Sequence, residues 1–133
     1  MTIKTVTIRH DVPALDIDKL MLEQYKHAVG PHGILERRVA WNMLCTLEDA
    51  GFGSFRLNDG EEWNKCETKK DVMELLFNLD EAWITCRKNG GKRHTIFMVL
   101  GNGTDILCDY SYSEDDADGF NATLADFDGC DYA

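Results

Sequence analysis

Apolar and polar positions along the first part of the chain predict one strand followed by two helices. Alternating β-branched and polar residues predict a short strand over 2–8. Apolar residues at helical spacing predict a helix over 16–29, which ends at Gly30-Pro31. A second helix is predicted over 34–50. Its apolar residues cover more than half of its circumference, as expected of a central core helix.

The middle of the chain predicts two short strands and a third helix. Residues 54–57 predict a brief strand, and the polar stretch 61–68 predicts its hairpin partner, with Trp63 and Cys66 as inward-facing candidates. Apolar residues then recur at intervals of three and four, which predicts a helix over 69–87.

The last part of the chain predicts a β-hairpin and a short helix. The strands cover 94–100 and 105–110, and the Gly-Asn-Gly turn between them suits backbone with positive φ. Phe120, Leu124 and Phe127 follow at i, i+4 and i+7, which predicts a short docked helix.

These elements predict a single α+β domain over residues 1–133. About three helices would pack on a small, mainly antiparallel sheet of four or five strands. A chain of this length is near the commonest size for one domain. Five cysteines occur without any Cys-x-x-Cys pair, which is typical of reduced thiols buried as small hydrophobic groups.

The net charge of −10 is concentrated at one end of the chain. Nine of the 24 acidic residues lie in 105–133, and no Lys or Arg follows Arg93. Residues 1–104 are therefore almost neutral, with 15 acidic and 14 basic side chains. A nearly neutral body with an acidic C-terminal segment favours basic partners, since charge steers association.

Aromatic side chains between these acids favour an interface, because aromatic residues anchor protein contacts. Carboxylates on an ordered surface can also imitate phosphates in a basic groove. The predicted partner-binding residues are Asp105, Asp109, Tyr112, Glu114, Asp115, Asp116, Asp118, Asp126, Asp128 and Asp131. The alternative interpretation, a solvated tail that improves solubility, stays open.

Other site chemistries are less well matched by the sequence. Residues 114–119 resemble the opening of a calcium-binding EF-hand loop, but Ala125 stands where the bidentate acid is required. His27 and His32 have no third ligand at metal-site spacing. No motif for nucleophilic catalysis or for a phosphate loop is present. We therefore predict no catalytic residues, no metal and no cofactor, with a small enzyme or a calcium-stabilised module as alternatives.

Several short motifs resemble those of small accessory proteins of tailed bacteriophages and related mobile elements. They are Ala50-Gly51-Phe52, Asn58-Asp59-Gly60-Glu61-Glu62, Asn78-Leu79-Asp80-Glu81-Ala82, and the hairpin from Val99 to Ser111 with its Gly-Asn turn and Asp-Tyr ending. This resemblance covers roughly residues 45–111 and carries no catalytic residues. It implies a protein that acts in the bacterial host, where many phage proteins disarm defences such as CRISPR–Cas.

Together these observations predict an inhibitor or adaptor that docks on a basic, nucleic-acid-handling host protein, such as a CRISPR–Cas effector. Apolar runs are too short to cross a bilayer, and the chain starts without a signal-like stretch, so we expect a location in the host cytoplasm. Direct nucleic-acid binding is not predicted, because the basic patch of 87–93 belongs to an acidic chain. The oligomeric state is left open.

Overall fold

The computed structural model describes residues 26–101 and 106–127, and these form an α+β fold. The described elements, in chain order, are α1 (Lys26–Asp49), β1 (Phe52–Asn58), β2 (Trp63–Lys65), α2 (Lys69–Leu76), β3 (Glu81–Lys88), β4 (His94–Val99), β5 (Leu107–Tyr110), α3 (Phe120–Leu124) and a 3₁₀ turn (Ala125–Phe127). The predicted fold class is confirmed. The strand predicted over 2–8 and most of the helix over 16–29 lie outside the described residues.

The five strands form one antiparallel sheet in the order β2-β1-β3-β4-β5. Its buried face shows strict alternation in β4, where His94, Ile96 and Met98 are buried and the residues between them are only half-buried. Because successive side chains in a strand point to opposite faces, one face joins the core and the other does not. The helices pack on the core face, against strand residues such as Leu57 and Ile84.

Helix α1 is longer than the sequence predicts. The predicted break at Gly30-Pro31 is wrong, because the helix runs without interruption from Lys26 to Asp49. Proline removes one backbone donor, and here that loss falls in the second turn, near the helix end. The remainder of α1 carries a wide apolar surface, including Met43, Leu44 and Leu47, which are fully buried. That packing stabilises the helix beyond what local preferences predict.

Helix α2 is shorter than the sequence predicts. It begins at a capping box in which the Thr68 hydroxyl accepts a hydrogen bond from the Asp71 amide, and the Asp71 carboxylate accepts one from the Thr68 amide. It ends at Leu76, so the helix predicted over 69–87 is wrong in its second half. Residues 81–88 are strand β3, paired with β1 and β4 on its two sides.

Two charged residues of α1 are almost fully buried and hold three elements together. Arg37 donates to the carbonyl oxygens of Leu76 (3.3 Å), the last residue of α2, and of Leu79 (3.1 Å), just beyond it. Glu36, which is 1% exposed, accepts from the Gly101 amide at 2.6 Å, at the start of the β4–β5 turn. Buried charges need such partners. Because Glu81 at the start of β3 pairs with Val99 at the end of β4, these contacts fix α1 against one end of the β3–β4 pair.

Candidate functional site

The structure describes only part of the predicted acidic face. Asp105, Asp128 and Asp131 lie outside the described residues, and for Asp126 only the backbone is described, in the 3₁₀ turn. The other predicted residues follow β4 along the chain, on β5 and on the loop that leads to α3. They divide into two groups. One group is bound into the loop, and the other is exposed.

Asp116 belongs to the bound group. Its two carboxylate oxygens accept hydrogen bonds from the amides of Asn121 (2.7 Å) and Ala122 (3.1 Å), at the start of α3. The Asn121 side chain accepts a hydrogen bond from the Ser113 amide and donates one to the Ser113 carbonyl oxygen. Asp116 has a φ of 43°, a conformation that aspartate tolerates better than most residues. These bonds close the loop into a fixed shape.

Asp118 is also bound, and its main partner is a buried histidine. One carboxylate oxygen contacts Nε2 of His94 at 2.5 Å, and the other accepts from the Phe120 amide at 3.1 Å. Partial burial opposes ionisation of Asp118, but the bonds from His94 and Phe120 outweigh it and lower its pKa. The His94 ring is stacked on Phe120, with centroids 4.1 Å apart. The pair thus attaches α3 to β4.

The exposed group consists of Asp109, Tyr112, Glu114 and Asp115, and we call it the acidic ridge. Tyr112 is 71% exposed, a high value for so large an aromatic side chain. Asp115 is exposed but ordered, because it accepts from the Ser113 hydroxyl (2.7 Å) and the Ala117 amide. These bonds lower the pKa of Asp115, so it stays ionised. The ridge therefore combines three exposed carboxylates with one exposed aromatic side chain over residues 109–115, on β5 and the loop that follows it.

A Cys-His-Asp arrangement beside the ridge has the composition of a catalytic triad but not its accessibility. Cys86 on β3 is the direct cross-strand neighbour of His94, which contacts Asp118. Cys86 is fully buried, and burial raises the pKa of its thiol to about 12. The thiolate is the reactive form of cysteine. The arrangement is therefore suited to packing and to positioning α3, since the nucleophile is neither ionised nor reachable.

The geometry of the loop also bears on the calcium hypothesis. An EF-hand loop directs its acidic side chains to one central point. Here the carboxylates of Asp116 and Asp118 are directed to backbone amides and to His94. Within residues 26–101 and 106–127, no cluster of three or more His, Cys, Asp or Glu side chains could hold a metal ion. Calcium would have to displace the bonds that shape the loop.

The sheet face opposite the helices carries features that the sequence interpretation missed. Trp83 and Phe97 are cross-strand neighbours with stacked rings, 4.7 Å between centroids. Beside them is a shallow groove of about 280 Å³. It is lined by Trp83, Thr95, Phe97, Asp109, Tyr110 and Ser111. The signal was the alternation Trp83-x-Thr85-x-Arg87, which is visible only once this segment is recognised as a strand.

Comparison with known proteins gives no relative: no family model, no curated protein and no solved structure matches this chain. In the part of the chain that the structure describes, no helix is long and apolar enough to cross a membrane.

Proposed function

We propose that this protein acts by binding, and that the acidic ridge docks on a basic, nucleic-acid-handling protein of a bacterial host. The observation that carries the proposal is the exposure of Tyr112 among outward-facing carboxylates. Tyrosine is enriched among the residues that dominate binding energy, and the exposed carboxylates close to it in sequence favour a positively charged partner. The phage-like motifs of residues 45–111 support an inhibitor of a host defence system, and a CRISPR–Cas effector is the specific candidate.

The order of the ridge supports binding rather than solvation alone. A flexible acidic tail loses conformational entropy when it binds, whereas a shaped loop has already lost it. Asp116 and Asp118 hold the loop through bonds to Asn121, Ala122, Phe120 and His94. The proposed mechanism is competition without a chemical reaction. The ridge occupies a basic groove of the host protein, and the nucleic acid that the host protein would bind there is thereby excluded.

The test uses the full chain as bait in a host lysate, followed by titration of the identified partner in purified form. The ridge variant combines Asp109→Asn, Tyr112→Ala, Glu114→Gln and Asp115→Asn. A control variant carries three charge-equivalent changes at other exposed acids, Glu61→Gln, Glu62→Gln and Glu74→Gln. Both variants should fold, which thermal unfolding checks.

We expect the ridge variant to lose at least about tenfold in affinity, and the wild-type affinity to fall steeply as salt rises from about 50 to about 300 mM. The control should bind like the wild type at moderate salt. Equal losses in both variants would mean that only the net charge matters. Unchanged affinity in the ridge variant would exclude the ridge as the interface.

A further inference from the structure

Four basic side chains lie on the sheet face opposite to the one that the described helices cover. Lys65 on β2 is the cross-strand neighbour of Arg56 on β1, and Arg56 is the neighbour of Thr85 on β3. Arg87 lies two residues beyond Thr85 and therefore points to the same face. Lys65, Arg56 and Arg87 are all exposed. Together with Arg93 they form what we call the cationic row.

Arg93 brings a further charge into the centre of this row. Its Nη1 donates to the carbonyl oxygen of Ser54 at 2.7 Å and to the Thr85 hydroxyl at 2.9 Å. Its pKa is lowered, first by desolvation and then by the positive charges of Arg56 and Arg87. The three guanidinium groups are thus close enough to repel one another. Among the described residues, no carboxylate forms an ion pair with Arg56, Arg87 or Arg93.

A row of aromatic residues runs beside the cationic row on the same face. Trp63 on β2 is paired with Asn58 on β1, which is paired with Trp83 on β3, which is paired with Phe97 on β4. Trp63 is 51% exposed, so the prediction that it faces inward is wrong. The two rows are separated by two residues along each strand, or about 7 Å. Aromatic side chains are costly to expose to water. Arginines without carboxylate partners are costly to hold close together, because they repel one another. This sheet face has both features.

We propose that this face binds single-stranded nucleic acid. The phosphates would contact the cationic row, and unpaired bases would stack on Trp63 and on the Trp83–Phe97 pair. Aromatic platforms on antiparallel sheets bind single strands in this way, because every base has a flat face while a duplex hides it. The groove next to Phe97 offers Asp109 as an acceptor for an exocyclic amine of a base.

The net charge of −10 does not contradict this binding, because the cationic row lies on β2, β1 and the end of β3, whereas the exposed carboxylates of the same face, Glu81 and Asp109, lie at the start of β3 and on β5. Glu114 and Asp115 belong to the loop before α3, and the electrostatic neighbour of Asp115 is Lys92, outside the cationic row. A nucleic acid responds to the local field within about 10 Å at ordinary salt. A second copy of the chain is a poorer occupant of the face, since a twofold interface would bring two cationic rows together.

The experiment is a titration of the full chain with a fluorescein-labelled 12-nucleotide strand of mixed sequence, as RNA and as DNA, and with the matching duplexes. Anisotropy reports binding, and tryptophan quenching reports stacking. The cation variant is Arg56→Gln with Arg87→Gln, and the stacking variant is Trp63→Ala. The matched control, Lys70→Gln with Lys92→Gln, makes the same charge change outside the row. Light scattering measures the mass of the free protein.

We expect a single strand to bind with tryptophan quenching and at least about tenfold more tightly than its duplex. RNA or DNA, whichever binds better, identifies the natural form. The cation variant should lose about tenfold or more at about 100 mM salt, and the stacking variant roughly 5- to 100-fold. The control should lose less than threefold.

Three results would overturn the proposal. The first is no binding of either single strand, and the second is equal binding of duplex and single strand. The third is a wild-type protein that is dimeric and a cation variant that is monomeric, which would make the face a dimer interface. The ridge residues Tyr112, Glu114 and Asp115 are unchanged in all of these variants. Failure here therefore leaves the docking function untouched. The ridge variant keeps the cationic row, Trp63, Trp83 and Phe97 and changes only Asp109 on this face, so its failure leaves this proposal standing.

Discussion

Replacing Asp118 tests most directly whether the acidic loop is a folded part of the domain. In Asp118→Ala, the buried ring of His94 and the Phe120 amide both lose their acceptor. A hydrogen bond to a charged group contributes about 1.5–3 kcal/mol, and water can replace part of it because the Asp118 side chain is 25% exposed. We expect a total loss of about 2–4 kcal/mol in the free energy of unfolding.

Asp118→Asn should cost less, about 1 kcal/mol, because the amide keeps an oxygen for Phe120 and still offers a polar group to Nε2 of His94. For a chain of this size, each kcal/mol shifts the Tm by about 3–5 °C. Thermal and urea unfolding, followed by circular dichroism, measure both variants. Glu114→Gln on the same loop is the control and should leave the Tm unchanged, since Glu114 is exposed.

The pH dependence gives an independent check. The pKa of Asp118 is lowered in the folded protein, so its ionised form stabilises the fold. That contribution is complete above the ordinary aspartate pKa of about 3.9, and it disappears as the pH falls through the lower folded value. The stability difference between wild type and Asp118→Asn should therefore close below about pH 4. Equal stability of the wild type and Asp118→Ala at neutral pH would refute the structural role of this residue.

Three further predictions follow from buried or constrained positions. In the native protein, a thiol reagent at pH 8 should modify exposed Cys108 well before Cys86, because Cys86 is buried and its pKa is raised to about 12. Peptide mapping by mass spectrometry distinguishes the two cysteines. Rapid labelling of Cys86 would contradict its burial. Gly51→Ala should cost about 1 kcal/mol or more in urea unfolding, because Gly51 has a φ of +98°. Glu36→Ala should cost about 1–3 kcal/mol, since the partly buried Gly101 amide loses its acceptor, and amide exchange at that position should accelerate.

The sequence predicted the fold class and the final helix, but it misjudged two element boundaries. Phe120, Leu124 and Phe127 are all buried, so the short docked helix is confirmed. The helix predicted for the segment after α2 was wrong because the apolar residues there fit both the helical period of 3.6 residues and the strand period of two. Trp83 and Cys86 continue the helical stripe, yet Ala82, Ile84 and Cys86 form the buried face of a strand, with Trp83 and Thr85 on the opposite face. Pairing with a strand on each side decided between these patterns, and local sequence carries no record of that pairing.

The charge pattern predicted which acidic residues belong to the candidate site. It did not predict which of them are hydrogen-bonded within the loop and which are exposed. Composition identified Asp116 and Asp118 as equivalent to Glu114, because a count of carboxylates cannot show which ones accept bonds from backbone amides. The same holds for Asn121, whose amide binds Asp116 and whose side chain binds Ser113. The buried partner His94 lies on β4, 24 residues away in the chain, so its contact with Asp118 depends on tertiary structure alone.

The strand order has a consequence for how any partner can attach. Both edges of the sheet are short: β2 has three residues, and β5 has four, with an irregularity in its pairing between Phe97 and Met98. Unpaired backbone groups on a long, flat edge invite strands from other molecules, and short or irregular edges do not. Recognition by strand addition is therefore disfavoured here. Among the described strands, no long, flat edge offers a template for extended sheets, and the side chains are the features left for a partner to recognise.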